Sequence, residues 1–123
     1  MATSKIAKPT GVATKYTYIG YIIGTSNTKN SGFYVINTAL KLVELDLNLT
    51  TGAALSPGTT YAVGGITDAG IPFDTVRCDA NRTDGGSAPA TLEINTDGSV
   101  KLKPLASIPS GVNLRAHCMF FYQ

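Results

Sequence analysis

The side chains best able to do chemistry fall in two short windows. Arg77, Asp79, Asn81, Arg82 and Asp84 form one, and Arg115 and His117 form the other near the C-terminus. Guanidinium, carboxylate, amide and imidazole groups together supply both donors and acceptors, the mixture that ligand hydroxyls require, so the set reads as a candidate saccharide site. The two windows meet only if the strand carrying Arg77 lies beside the strand carrying Arg115. The competing reading makes Arg77 and Asp79 an ordinary surface pair, worth less than about 1 kcal/mol. Tyr16, Tyr18 and Tyr21 offer flat faces for stacking, but are more simply read as packing or interface residues.

Catalytic patterns are weaker. His117 is the sole histidine and sits mid-strand, and no G-x-S-x-G elbow occurs. Asp68, Asp74, Asp79 and Asp84 could supply the paired carboxylates of a glycosidase, but Asp at turns and strand ends is more simply explained by backbone hydrogen bonding. Gly64-Gly65 and Gly85-Gly86 precede no helix and make no phosphate cradle. Asp79, Asn81, Asp84 and Gly86 echo a calcium loop without its terminal bidentate Glu. The expectation is a non-enzymatic domain with no catalytic residues, no cofactor and no metal. Cys78 and Cys118 are open to either a disulfide or two buried free thiols, and cytoplasmic synthesis favours the thiols.

Composition narrows the class further. The chain has 123 residues, 43% of them hydrophobic, which is enough for one core without a metal or disulfide staple. Charged residues make up 15%, against roughly 25% in ordinary soluble domains. The net charge is +2 and Lys and Arg are scattered, a distribution that argues against nucleic acid. No apolar run approaches the about twenty residues of a membrane span. The first five residues lack the apolar core of a signal peptide, so synthesis in a cytoplasm is expected.

These side chains must be positioned by strands. Residues 1–14 read as a flexible lead-in and 15–123 as a single domain. Lys15–Ile23 has strand composition, Gly24–Gly32 reads as a polar loop, and Phe33–Ile36 as a short strand. In Leu40–Leu49, Leu45, Leu47 and Leu49 alternate against Glu44, Asp46 and Asn48, with a possible bulge at Leu42-Val43. Thr60–Gly64 reads as a brief strand, and Gly64–Pro72 as irregular. In Thr75–Ala80, Val76, Cys78 and Ala80 alternate against Arg77 and Asp79, and Asn81–Pro89 reads as a loop. Thr91–Asn95 and Ser99–Lys103 flank Thr96-Asp97-Gly98, a strong hairpin signal that buries Leu92, Ile94, Val100 and Leu102 and sets Glu93 near a Lys. Leu114–Tyr122 closes the chain, with Leu114, Ala116, Cys118, Phe120 and Tyr122 inward and Arg115, His117, Met119 and Phe121 outward. That outward row is too apolar for plain solvent and asks for a partner surface. No window has helical spacing. The fold class is all-β, an antiparallel β-sandwich or barrel of roughly seven or eight short strands.

The order of elements over residues 40–123 resembles the C-terminal head, or receptor-binding tip, domains of bacteriophage tail fibres and siphophage receptor-binding proteins. The carriers are the alternating Lys41–Leu49, then Ile71-Pro72-Phe73, then Thr75–Asp79. Next come Ile94-Asn95-Thr96-Asp97-Gly98-Ser99-Val100-Lys101-Leu102, the turn Pro109-Ser110-Gly111, and a last strand ending Phe121-Tyr122. The resemblance implies a homotrimeric knob on a virion tail or fibre tip, attached to other tail or baseplate proteins and adsorbing to host cell-surface saccharide. In that setting Met119, Phe121, Tyr16 and Tyr18 become candidates for the oligomer interface. Two alternatives stand beside it: a structural virion protein, such as a head fibre or decoration knob without a glycan ligand, and a glycan-active hydrolase or esterase.

Overall fold

The computed structural model describes residues 31–66, 70–86 and 90–122, and the backbone alone of 13–17 and 19–20. The domain is all-β and antiparallel, with no helix among the described residues. Its strands are β1 Ala13–Thr17, β2 Ile19–Gly20, β3 Ser31–Asn37, β4 Leu42–Thr50, β5 Tyr61–Gly65, β6 Val76–Arg82, β7 Ala90–Ile94, β8 Ser99–Pro104 and β9 Asn113–Phe121. These are nine strand segments among the described residues, β2 being only two residues long. They form one sheet in the order β1-β3-β4-β9-β6-β7-β8-β5-β2.

Strict alternation decides which face of each strand is buried, because successive side chains leave a strand on opposite sides. On β4, Val43, Leu45, Leu47 and Leu49 are wholly buried, and on β9 Leu114, Ala116, Cys118 and Phe120 join them. Tyr34, Ile36, Val63, Ala80, Ala90, Leu92, Ile94, Val100 and Leu102 add to the lining from the other strands. One sheet buries one face against itself by curling into a partial barrel. β1 and β2 hold opposite ends of the sheet, yet a single residue separates them in the chain. The backbone at Thr17 pairs with Phe33 of β3, and that at Ile19 with Gly65 of β5, so the segment draws the two ends of the sheet together.

Several expected boundaries move. Strand structure starts at Ala13, inside the expected lead-in, and Ser31 and Gly32 belong to β3 rather than to a loop. β4 pairs in unbroken register with β3 and β9 from Leu42 onward, so there is no bulge at Leu42-Val43. Val43 simply continues the buried row. What broke the pattern is a turn over 38–41, where the Asn37 Oδ1 accepts the Leu40 N–H at 3.0 Å and Lys41 takes a left-handed φ of 55°. Gly65 extends β5, and Asn81 and Arg82 extend β6 into the expected loop. Most of the loop expected over Gly24–Gly32, together with Tyr18 and Tyr21, lies outside the described residues.

The β7–β8 hairpin forms as expected. The Asn95 N–H reaches Ser99 O at 2.9 Å and the Gly98 N–H reaches Asn95 O at 2.9 Å. The Asp97 Oδ1 accepts both the N–H and the hydroxyl of Ser99, at 2.9 and 2.6 Å, which holds that carboxyl below its ordinary pKa. Two irregular stretches are fastened together beyond the sheet. Leu55 and Ile108, both buried, exchange backbone hydrogen bonds, and the buried Thr51 hydroxyl accepts the Val112 N–H at 2.8 Å and donates to Pro109 O at 2.7 Å.

Candidate functional site

β6 and β9 lie side by side, as the two windows of polar residues require, but they are joined over only three residue pairs, Ala80↔Ala116 to Arg82↔Leu114. The next link is the bridge Pro72↔Tyr122. Between these links the β6 side has seven residues, 73–79, and the β9 side has five, 117–121. The excess cannot be absorbed in a regular ladder, and the strands part. An open cleft of about 660 Å³ occupies the outer face at the fork, lined by Asp46, Arg77, Cys78, Asp79, Asn81, Arg115, Ala116 and His117.

Five of the seven candidate ligand residues therefore converge: Arg77, Asp79, Asn81, Arg115 and His117. Arg115 stands directly across the ladder from Asn81, and across from Asn48 on its other side. Alternation turns all five outward. Arg82 and Asp84 do not join them. Arg82 has the inward parity of Val76, Cys78 and Ala80, because β6 runs on through Asn81 and Arg82 where a loop was expected. It folds onto Asp84 in the turn that follows, with Nε to Oδ1 at 2.9 Å. Asp46 was missed. It sits on the outward row of β4, opposite His117, and the sequence carries no sign that β4 neighbours β9.

The cleft cations are steadied by carboxylates. The Arg115 Nη2 meets Asp46 Oδ1 at 3.0 Å, and the Arg77 Nε meets Glu93 Oε2 at 2.9 Å. His117 Nε2 lies 3.5 Å from Glu44 Oε1. Glu93 was expected to pair with a Lys, and Arg77 with Asp79. Lys101 is indeed opposite Glu93 on β8, but Arg77 is opposite on β7's other side and takes the carboxylate. Among the described residues no cation lies within ion-pair distance of Asp79, whose carboxylate faces the cleft unneutralised. These exposed pairs contribute orientation more than stability.

The Asp84 carboxyl is held down to about 2, first by the Arg82 guanidinium and then by the Gly86 N–H. A carboxyl depressed in the folded state adds stability above its unfolded value, and that stability is lost as pH falls through the folded value. The Asp84 contribution is thus complete above about pH 4 and fades toward about pH 2. Carbon-detected NMR titration should place the Asp84 midpoint near 2, and Arg82→Ala should return it toward the ordinary carboxylate range. An unmoved midpoint in that variant would show the pair to be absent in solution.

Cys78 and Cys118 are free thiols. On β9, the outward row continues past His117 to Met119 and Phe121, which are 52% and 66% exposed. The backbone of Tyr16 pairs with Tyr34. The Tyr16 side chain is not among those described, so the structure does not place it against this row. The chain matches no protein-family model, and no curated sequence matches it at a significant level.

Proposed function

We propose that the domain binds a saccharide, without turning it over, in the cleft between β6 and β9. The observation that carries this reading is the convergence of Arg77, Asp79, Asn81, Arg115 and His117 from two strands onto one open cleft. A sugar presents hydroxyls that both donate and accept. Asp79 accepts, the two guanidiniums donate, and Asn81 and His117 can do either. Strand-borne side chains anchored by Asp46 and Glu93 are already ordered, which lowers the entropy cost of binding. Asp79 stands exposed on the strand, whereas the general acid of a glycosidase is kept protonated at neutral pH by apolar surroundings.

The resemblance to phage tail-tip heads supplies the setting: a virion tip that adsorbs to host surface saccharide as a homotrimer docked on other tail proteins. The exposed Met119 and Phe121 support an assembly, since subunits packed along that row would cover them. The apolar row begins where the polar cleft ends, so a site of this kind would lie close to the subunit boundary.

Binding of the full-length chain to arrays of bacterial envelope polysaccharide tests the reading. Asp79→Ala and Arg115→Ala should each weaken binding by about tenfold or more, because a hydrogen bond to a charged group is worth about 1.5–3 kcal/mol. Failure to bind any envelope glycan would sink the proposal, and release of reducing ends from a bound glycan would replace binding with catalysis. A strictly monomeric mass by light scattering would remove the trimer.

A further inference from the structure

The fork between β6 and β9 also brings the two cysteines together. Counting on from Ala80↔Ala116, the next inward-facing pair is Cys78 and Cys118, forty residues apart in sequence. Both point to the inner face, and their thiols lie within hydrogen-bonding reach of one another. Cys118 is buried, while Cys78 is only partly buried and is among the residues lining the cleft, so Cys78 is the more accessible of the pair.

We propose that Cys78 and Cys118 form an oxidation site at which a small disulfide, such as glutathione disulfide, installs a cross-strand bond that closes the fork. Cys78 gives up its proton and its thiolate attacks one sulfur of the external disulfide. A mixed disulfide forms on Cys78 and one thiolate leaves. Cys118 then loses its proton and attacks the Cys78 sulfur, the second small thiolate leaves, and both leaving groups take up the released protons. The protein dithiol is oxidised by two electrons and the external disulfide is reduced by two.

The division of labour follows from the surroundings. The Cys118 S–H donates to Cys78 and favours its thiolate, so the Cys78 pKa is lowered. That same contact, and after it burial, pushes Cys118 up. The more accessible partner is thus the attacking thiol and the buried one resolves. Because the two thiols already interact across the mouth of the fork, only a small approach of β6 toward β9 is required to reach the about 3.5–4.5 Å between Cβ atoms that a disulfide needs. That approach would extend the ladder beyond Ala80↔Ala116 and narrow the cleft above it. The inference stands independently of any saccharide.

The test treats the folded full-length chain with glutathione disulfide, alkylates what remains, and measures intact mass and the non-reduced peptide map. The wild type should lose the mass of two hydrogens and yield a joined Cys78–Cys118 peptide. Cys118→Ala should halt with one glutathione on Cys78, and Cys78→Ala should react at least about tenfold more slowly, as expected for a buried thiol. Amide exchange at Asp79 and His117 should slow on oxidation of the wild type. A wild-type chain that keeps both thiols, carries two glutathiones, or links to a second chain overturns the site. Should either variant fail to fold, the wild-type mass and peptide map still decide the matter. Unchanged exchange in an oxidised chain overturns closure of the fork.

Discussion

Leu47→Ala is expected to lower the unfolding free energy by about 2–5 kcal/mol, toward the upper end of what removing a buried leucine costs. Leu47 is wholly buried on β4, and its cross-strand neighbours are Gly32 on β3 and Ala116 on β9. One has no side chain and the other only a methyl group. Leu47 therefore fills the space that both leave, and no larger neighbour stands directly across either ladder to collapse into the vacancy. Its Cδ2 lies 3.1 Å from where a Cβ on Gly32 would be, so the three positions are fitted to one another. Urea unfolding followed by circular dichroism measures the loss. Met119→Ala, two positions from His117 on the exposed row, should change stability by no more than about 0.5 kcal/mol. Equal losses for the two variants would mean that the buried face has been wrongly assigned.

Gly98→Ala is expected to cost about 2–4 kcal/mol, combining a strained backbone with a steric overlap. Gly98 closes the β7–β8 turn with a φ of +86°, where a side chain meets its own carbonyl. A Cβ there would also fall 2.4 Å from the Ile66 carbonyl oxygen. That contact cannot be relieved by a rotamer change, since it is with backbone. The Ile66 N–H donates to Gly98 O at 2.9 Å, so moving Ile66 away breaks the link between the hairpin and the end of β5. β5 carries β2, so damage here spreads to the far end of the sheet. The expected signature is a lowered urea midpoint with faster amide exchange at both Ile66 and Gly64. A loss below about 1 kcal/mol would indicate that the turn relaxes freely.

The two cleft arginines show how local pattern and tertiary structure divide the work. Alternation alone places Arg77 and Arg115 on the outer face. Their partners, Glu93 and Asp46, are sixteen and sixty-nine residues away and become neighbours only through strand register. The expected Arg77–Asp79 pair fails for the same reason, because the register with β7 offers Arg77 a carboxylate directly across the ladder. The inward parity of Arg82 counts only once β6 is seen to run past Ala80, where the sequence reads as a loop. The turn at 38–41 was equally hidden, because Thr-Ala-Leu-Lys holds none of the usual turn residues and the turn depends on the Asn37 side chain.

What the amino-acid order determined by itself is the class of the fold and the two faces of its strands. A period of two is a property of each strand alone, which is why Leu114, Ala116, Cys118 and Phe120 could be assigned inward, and Arg115, His117, Met119 and Phe121 outward, before any neighbour was known. The Asp-Gly hairpin is equally local. Only the tertiary structure decided that β9 lies between β4 and β6, that β1 and β2 hold opposite ends of one sheet, and that β6 leaves β9 after three pairs. Those outcomes depend on contacts between residues far apart in the chain, and on a mismatch of seven residues against five that exists only once the strands are side by side. The cleft is a product of that mismatch.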